Sequence, residues 1–104
     1  MVQAVLVRVA FNQSEDDRVR MAAVQELLNQ NSIHLDLVLI GLLVDRDPEM
    51  RLAAVEGLFI RGGALIGYAA QVCENDESAE VRKAIARASS GMELGLFYLD
   101  PPVV

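Results

Sequence analysis

Apolar residues recur along this chain at a helical spacing rather than in alternation. In Val19-Arg20-Met21-Ala22-Ala23-Val24-Gln25-Glu26-Leu27, the residues Val19, Ala23 and Leu27 fall in one arc at about 100° per residue, the mark of an amphipathic helix. The pattern returns 31 residues later as Met50-Arg51-Leu52-Ala53-Ala54-Val55-Glu56-Gly57-Leu58. It returns after another 31 as Val81-Arg82-Lys83-Ala84-Ile85-Ala86-Arg87-Ala88-Ser89. Arg20, Arg51 and Arg82 share one place in the three runs, and Ala22, Ala53 and Ala84 share another. Units this small cannot bury an apolar face alone, so a fixed period of this kind predicts stacked helical repeats.

Each unit predicts two helices. In the second unit, Ser32 is placed to cap a helix over Ile33 to Val44. Asp45-Arg46-Asp47-Pro48 interrupts it, because proline disfavours helix at the residue before it and suits the first turn of the next. That next helix runs to about Arg61, where Gly62-Gly63 stops it. The third unit repeats the plan with a helix over Ala64 to about Glu74, a turn over Asn75 to Ser78 and a helix over Ala79 to Ser90 before Gly91. In the first unit Val2 to Asn12 takes the first-helix place and Ser14 to Asp17 the turn. Val5-Leu6-Val7-Arg8-Val9 favours a strand on propensity. The register decides for helix, since Val2, Leu6 and Val9 align with Ile33, Leu37 and Ile40. A last apolar segment over Met92 to Leu99 ends at Pro101-Pro102. The expectation is a single all-α domain over 1–104, with units at about 1–31, 32–62 and 63–93, a terminal helix at 92–99 and seven helices in all.

Composition supports this reading and narrows the function. Apolar residues are 53%, aromatics 5%, and Trp is absent, which favours closely packed helices over a sandwich of sheets. The formal charge of −6 argues against nucleic acid, whose phosphates need a basic face, and against anionic membranes. The longest apolar run, Ile33 to Val44, is too short and too polar to span a bilayer. No basic stretch followed by a small-residue cleavage site opens the chain, so a cytoplasmic location is expected. The lone Cys73 excludes an internal disulfide.

The recurrent arginine lies beside the apolar arc, where an unpaired charge would be costly. An acid precedes two of the three arginines by six residues, at Asp45 and Asp76, while Ser14 holds that place in the first unit. A column of Arg20, Asp45, Arg51, Asp76 and Arg82 lets each guanidinium reach a carboxylate in its own or the adjacent unit. Recurrence in every unit points to a structural ladder rather than a ligand site.

The run Val-Arg-x-Ala-Ala-x-x-x-Leu after an acidic turn resembles the HEAT repeat, and the 31-residue period is similar to its short bacterial form, first described in phycobilisome bilin lyases. The likeness covers nearly the whole chain. The family's Asp/Arg ladder maps onto Asp45, Arg51, Asp76, Arg82 and Arg20, with departures at Ser14 and at Ser89 and Ser90. The resemblance implies a right-handed α-solenoid of about three and a half hairpins that serves as a protein-binding scaffold. It implies no reaction.

Candidate chemistry is sparse. His34 has only Asp36 near it, and Cys73 has no neighbouring cation or histidine in sequence to make a thiolate. Asp45-Arg46-Asp47-Pro48-Glu49 gathers carboxylates without the glycine-bearing ligand series of a calcium loop. Gly62-Gly63 fits a helix stop better than a phosphate loop. The His-Glu pairs of metal-dependent HEAT-type hydroxylases are missing, and so are the basic groove and stacking aromatics of HEAT-like glycosylases. The expectation is therefore a non-catalytic chain with no cofactor or metal that binds another protein. Alternatives are an accessory subunit of an enzyme complex, as in a bilin lyase, or an acidic inhibitor of a basic partner.

Three surfaces are candidates for that partner. The solvent face of the second helices carries Arg18, Met21, Gln25, Glu49, Leu52, Glu56, Lys83 and Arg87. The turns within units hold ten of the 15 acids, which would polarise the molecule. The two end helices are crowded with apolar residues, and Leu96, Phe97 and Leu99 in particular suggest a weak homodimer through a terminal helix.

Overall fold

The computed structural model describes residues 2–30, 34–61 and 65–93. Within them the chain is all-helical, with α1 (Val2–Phe11), α2 (Asp17–Gln30), α3 (Leu35–Leu42), α4 (Pro48–Ile60), α5 (Ile66–Cys73) and α6 (Ala79–Glu93). The β-branched first segment is helix, as repeat register requires, because packing against α2 overrides local strand propensity.

Six helices occupy the described residues where the sequence predicts seven. The expected boundary at Gly91 is not observed. Glycine inside a helix costs about 1 kcal/mol relative to alanine but keeps its N–H donor, so α6 continues through Gly91 to Glu93. Met92 therefore continues α6 instead of opening a new helix, and the rest of the expected terminal helix, 94–99, lies outside the described residues.

Other boundaries shift by a turn or less. α3 ends at Leu42, not Val44, because Leu43 N–H turns to the Ile40 carbonyl and Asp45 N–H to that of Leu42. These tight bonds end the helix before the acidic turn. His34 stands at the N-terminal boundary of α3 without capping it through its side chain. The expected cap Ser32 and the expected stop Gly62-Gly63 lie outside the described residues. The start of α4 follows expectation. Asp47 is extended and its carboxylate accepts the Glu49 N–H at 3.0 Å, with Pro48 at the first position.

The helices pair in sequence as hairpins, α1 with α2, α3 with α4 and α5 with α6, and α4 also packs against α5 and α6. The middle hairpin lies between the other two. Ala23, Leu27, Met50, Ala54, Leu58, Val81 and Ile85 from the three predicted arcs are all buried. Glycine permits two close approaches. A Cβ on Gly57 would meet Leu39 Cδ1 at 3.0 Å and Leu28 Cδ2 at 3.1 Å, so α2, α3 and α4 converge there. A Cβ on Gly41 would meet the Phe11 ring at 3.0 Å, which seats the end of α1 on α3. Val19 departs from its arc. It is 45% exposed where its equivalents Met50 and Val81 are fully buried, because no described residue packs on that side of the first hairpin.

Candidate interaction surfaces and the arginine ladder

The ladder positions the hairpins, and so the faces they present. Arg20 is fully buried at the start of α2. Its Nε donates to the Ala10 carbonyl at 2.9 Å, and its two terminal nitrogens donate to the Asp45 carboxylate. Arg51, at the same place in α4, donates from Nε and Nη2 to the two oxygens of Asp76 at 2.8 and 3.0 Å. Its Nη1 donates to the Asp45 carbonyl at 2.7 Å. In each pair the carboxylate comes from the hairpin that follows, 25 residues on, while the carbonyl comes from the arginine's own hairpin, from the end of α1 for Arg20 and from the turn before α4 for Arg51. The column therefore crosses between hairpins. Bidentate geometry and further donors keep the buried charges satisfied. Asp45 also accepts from Gln13 Nε2 at 3.2 Å and the Asp47 N–H at 2.9 Å, and Asp76 from the Ser78 N–H at 2.9 Å.

Arg82 occupies the third place and behaves differently. Its Nη1 donates to the Asp76 carbonyl, as the register dictates, but it is exposed and meets no carboxylate among the described residues. Electrostatics follow the geometry. Burial alone would push the Asp45 and Asp76 carboxyls up. The hydrogen bonds from Arg20 and Arg51, with those from the turn N–H groups, outweigh it and hold both below the ordinary carboxylate value. Hydrogen bonds to those carboxylates raise Arg20 and Arg51 against the opposing effect of burial.

Two supports are not apparent from the repeat. Arg46 reaches across to the first turn, donating to the Gln13 side chain at 2.7 Å and its carbonyl at 3.0 Å, and lies 3.3 Å from Asp17. Arg61 pairs with Asp36, tying the end of α4 to the start of α3. Neither position recurs in other units, so only the fold brings these partners together.

The predicted face of the second helices divides into two clefts. Glu56 and Arg87 flank a groove of about 260 Å³ between α4 and α6, lined by Val55, Phe59, Ile60, Ala84 and Ala88. Ile60 is 80% exposed at its edge. Arg18, Met21 and Glu49 line a second cleft with Asp17 and Asp47 where the α2 and α4 N-termini meet. Gln25 is exposed and contacts Met21, while Leu52 packs on the core and Lys83 is exposed outside both clefts. Phe59 and Ile60 are the groove residues that the sequence reading missed. The available signal was Ile60, an apolar residue off the buried arc of its helix. A third hollow, of about 480 Å³, lies between α1 and α3 beside Val7, Leu35, Leu37 and Val38. The end-interface candidates Leu96, Phe97 and Leu99 lie outside the described residues.

The acidic turns are largely engaged within the chain. Asp45 and Asp76 belong to the ladder, Asp47 caps α4, and Asp16 accepts the Arg18 N–H at 2.8 Å. Cys73 is buried with Sγ 3.8 Å from the Leu43 carbonyl, and burial pushes its thiol pKa up, the opposite of an activated nucleophile. Among the described residues no three His, Cys, Asp or Glu side chains converge to hold a metal ion, and no helix is long and apolar enough to cross a membrane. Searches of family models, curated proteins and solved structures find no match to this chain.

Proposed function

We propose that the chain is a short HEAT-like α-solenoid that works as a protein-binding scaffold, taking an apolar segment of its partner into the groove between α4 and α6. The observation that carries this reading is the groove itself. Its wall is apolar, Ile60 stands almost fully in solvent at its edge, and one acid and one base flank it. Apolar contact area with polar groups at the rim is the pattern of a binding surface. The ladder supports the same reading, since it links hairpins through satisfied buried charge and leaves the second-helix face available. The groove is favoured over the acidic turn edge, where most carboxylates already serve the fold.

The test is site-specific photo-crosslinking in the native host. A photoreactive residue at Ile60 should capture one discrete partner, and Arg87→Trp, which fills the groove from its exposed rim, should abolish capture with little change in melting temperature. The same probe at Val44, 72% exposed in the turn after α3, should capture nothing specific. Equal capture from both positions would dismiss the groove.

A further inference from the structure

The first hairpin presents an open face that the other two hairpins bury. Val19 and Ala22 are exposed, while Met50, Val81, Ala53 and Ala84 are buried. In the second and third units this side is packed by the preceding hairpin, so the open face continues an interface that the molecule already uses twice.

The charges on α2 identify an occupant. Arg18, Ala22 and Glu26 are four residues apart along one exposed stripe. Two such helices laid antiparallel across an axis at Ala22 bring Arg18 of each copy opposite Glu26 of the other. The stripe is complementary to itself, and alanine at its centre lets the helices approach closely. Arg18 is free to turn, because its side chain is 94% exposed and its contact with Asp16, at 3.7 Å, is a weak surface pair. A head-to-tail contact fits less well. It would bring Arg82 toward Ser14, which has no carboxylate, and contacts between unlike ends propagate instead of closing.

We propose that a second copy of this chain covers the open face, with the two α2 helices antiparallel about a two-fold axis at Ala22, Val19 in apolar contact, and two symmetric Arg18–Glu26 pairs. The area is small. Two helices about 20 Å long and about 10 Å apart remove roughly 800 Å² in total, below the usual range for tight complexes, so the dimer is weak and forms in the micromolar range.

Sedimentation equilibrium from about 5 to 200 µM tests this, with circular dichroism confirming that each variant folds. The unmutated chain should pass from monomer to dimer and stop there. Ala22→Arg should be monomeric throughout and melt at an unchanged temperature, since the position is exposed on a helix. Arg18→Glu and Glu26→Arg should each weaken association about tenfold or more, and the charge-swapped double variant should restore it. A monomer across the whole range would overturn the proposal. So would a dimer indifferent to Ala22→Arg, a double variant no better than the singles, or growth beyond two copies. Loss of groove crosslinking at Ile60 leaves this result unaffected, so the two proposals fail separately.

Discussion

Arg20 and Arg82 stand at the same place in the repeat and meet opposite fates. Arg20 is wholly buried, with its guanidinium clamped on Asp45, whereas Arg82 keeps the turn carbonyl and projects into solvent. The two helices share their register, and each arginine donates to a main-chain carbonyl of its own hairpin. What differs is whether a following hairpin delivers a carboxylate. Each arginine is thus a socket, and the next hairpin's turn decides whether it becomes a buried ion pair or a surface charge. The same logic accounts for Ser14. It stands where Asp45 and Asp76 stand in their units, and no arginine among the described residues is placed to need a carboxylate there.

The sharpest way to break this contrast is at the buried end. Arg20→Ala leaves the Asp45 carboxylate buried without its counter-ion and should destabilise the chain by about 3–5 kcal/mol in urea unfolding. Arg51→Ala should follow at about 2–4 kcal/mol, because Arg51 and Asp76 retain some exposure and Asp76 keeps the Ser78 N–H. A smaller effect is expected from acid. Asp45 and Asp76 both have depressed carboxyl values in the folded chain, so the unfolded chain binds more protons than the folded one near their titration. Their contribution is complete above the unfolded value of about 3.9 and is lost as pH falls through the folded values. Melting temperature should be nearly flat from pH 7 to 5 on their account and fall below about pH 4, with a shallower fall in Asp76→Asn. The smallest effect belongs to Arg82→Ala, which should change stability by less than about 0.5 kcal/mol. A loss at Arg82 comparable to that at Arg51 would erase the contrast.

The hairpins were legible in the sequence because helical spacing and the recurring Arg and Ala positions fall in one 31-residue frame. Helix ends were less so. Gly91 reads as a stop, yet without a proline or a competing cap after it the helix continues. The ladder's members were legible, but its direction was not. Asp45 lies six residues before Arg51 and is nearer in sequence than Asp76, so spacing alone leaves both partners open. Ser14 held the discriminating signal. Arg20 persists in a unit with serine at the ladder's acid place, which points it forward to Asp45, while Asp17 adds a second contact at 3.5 Å from its own unit. The groove was half legible. Glu56 and Arg87 follow from helix faces, whereas Phe59 and Ile60 needed the α4–α6 contact, which no local pattern specifies.

The central claim is that each rung couples an arginine to the carboxylate of the following hairpin, and a pair of double-mutant cycles tests it most directly. The cycle between Arg51→Ala and Asp76→Ala should give a coupling energy of about 1.5–3 kcal/mol. The cycle between Arg51→Ala and Asp45→Ala should give less than about 0.5 kcal/mol, because Arg51 touches Asp45 only through its carbonyl. A larger coupling of Arg51 to Asp45 than to Asp76 would place the rung inside one unit and contradict the account.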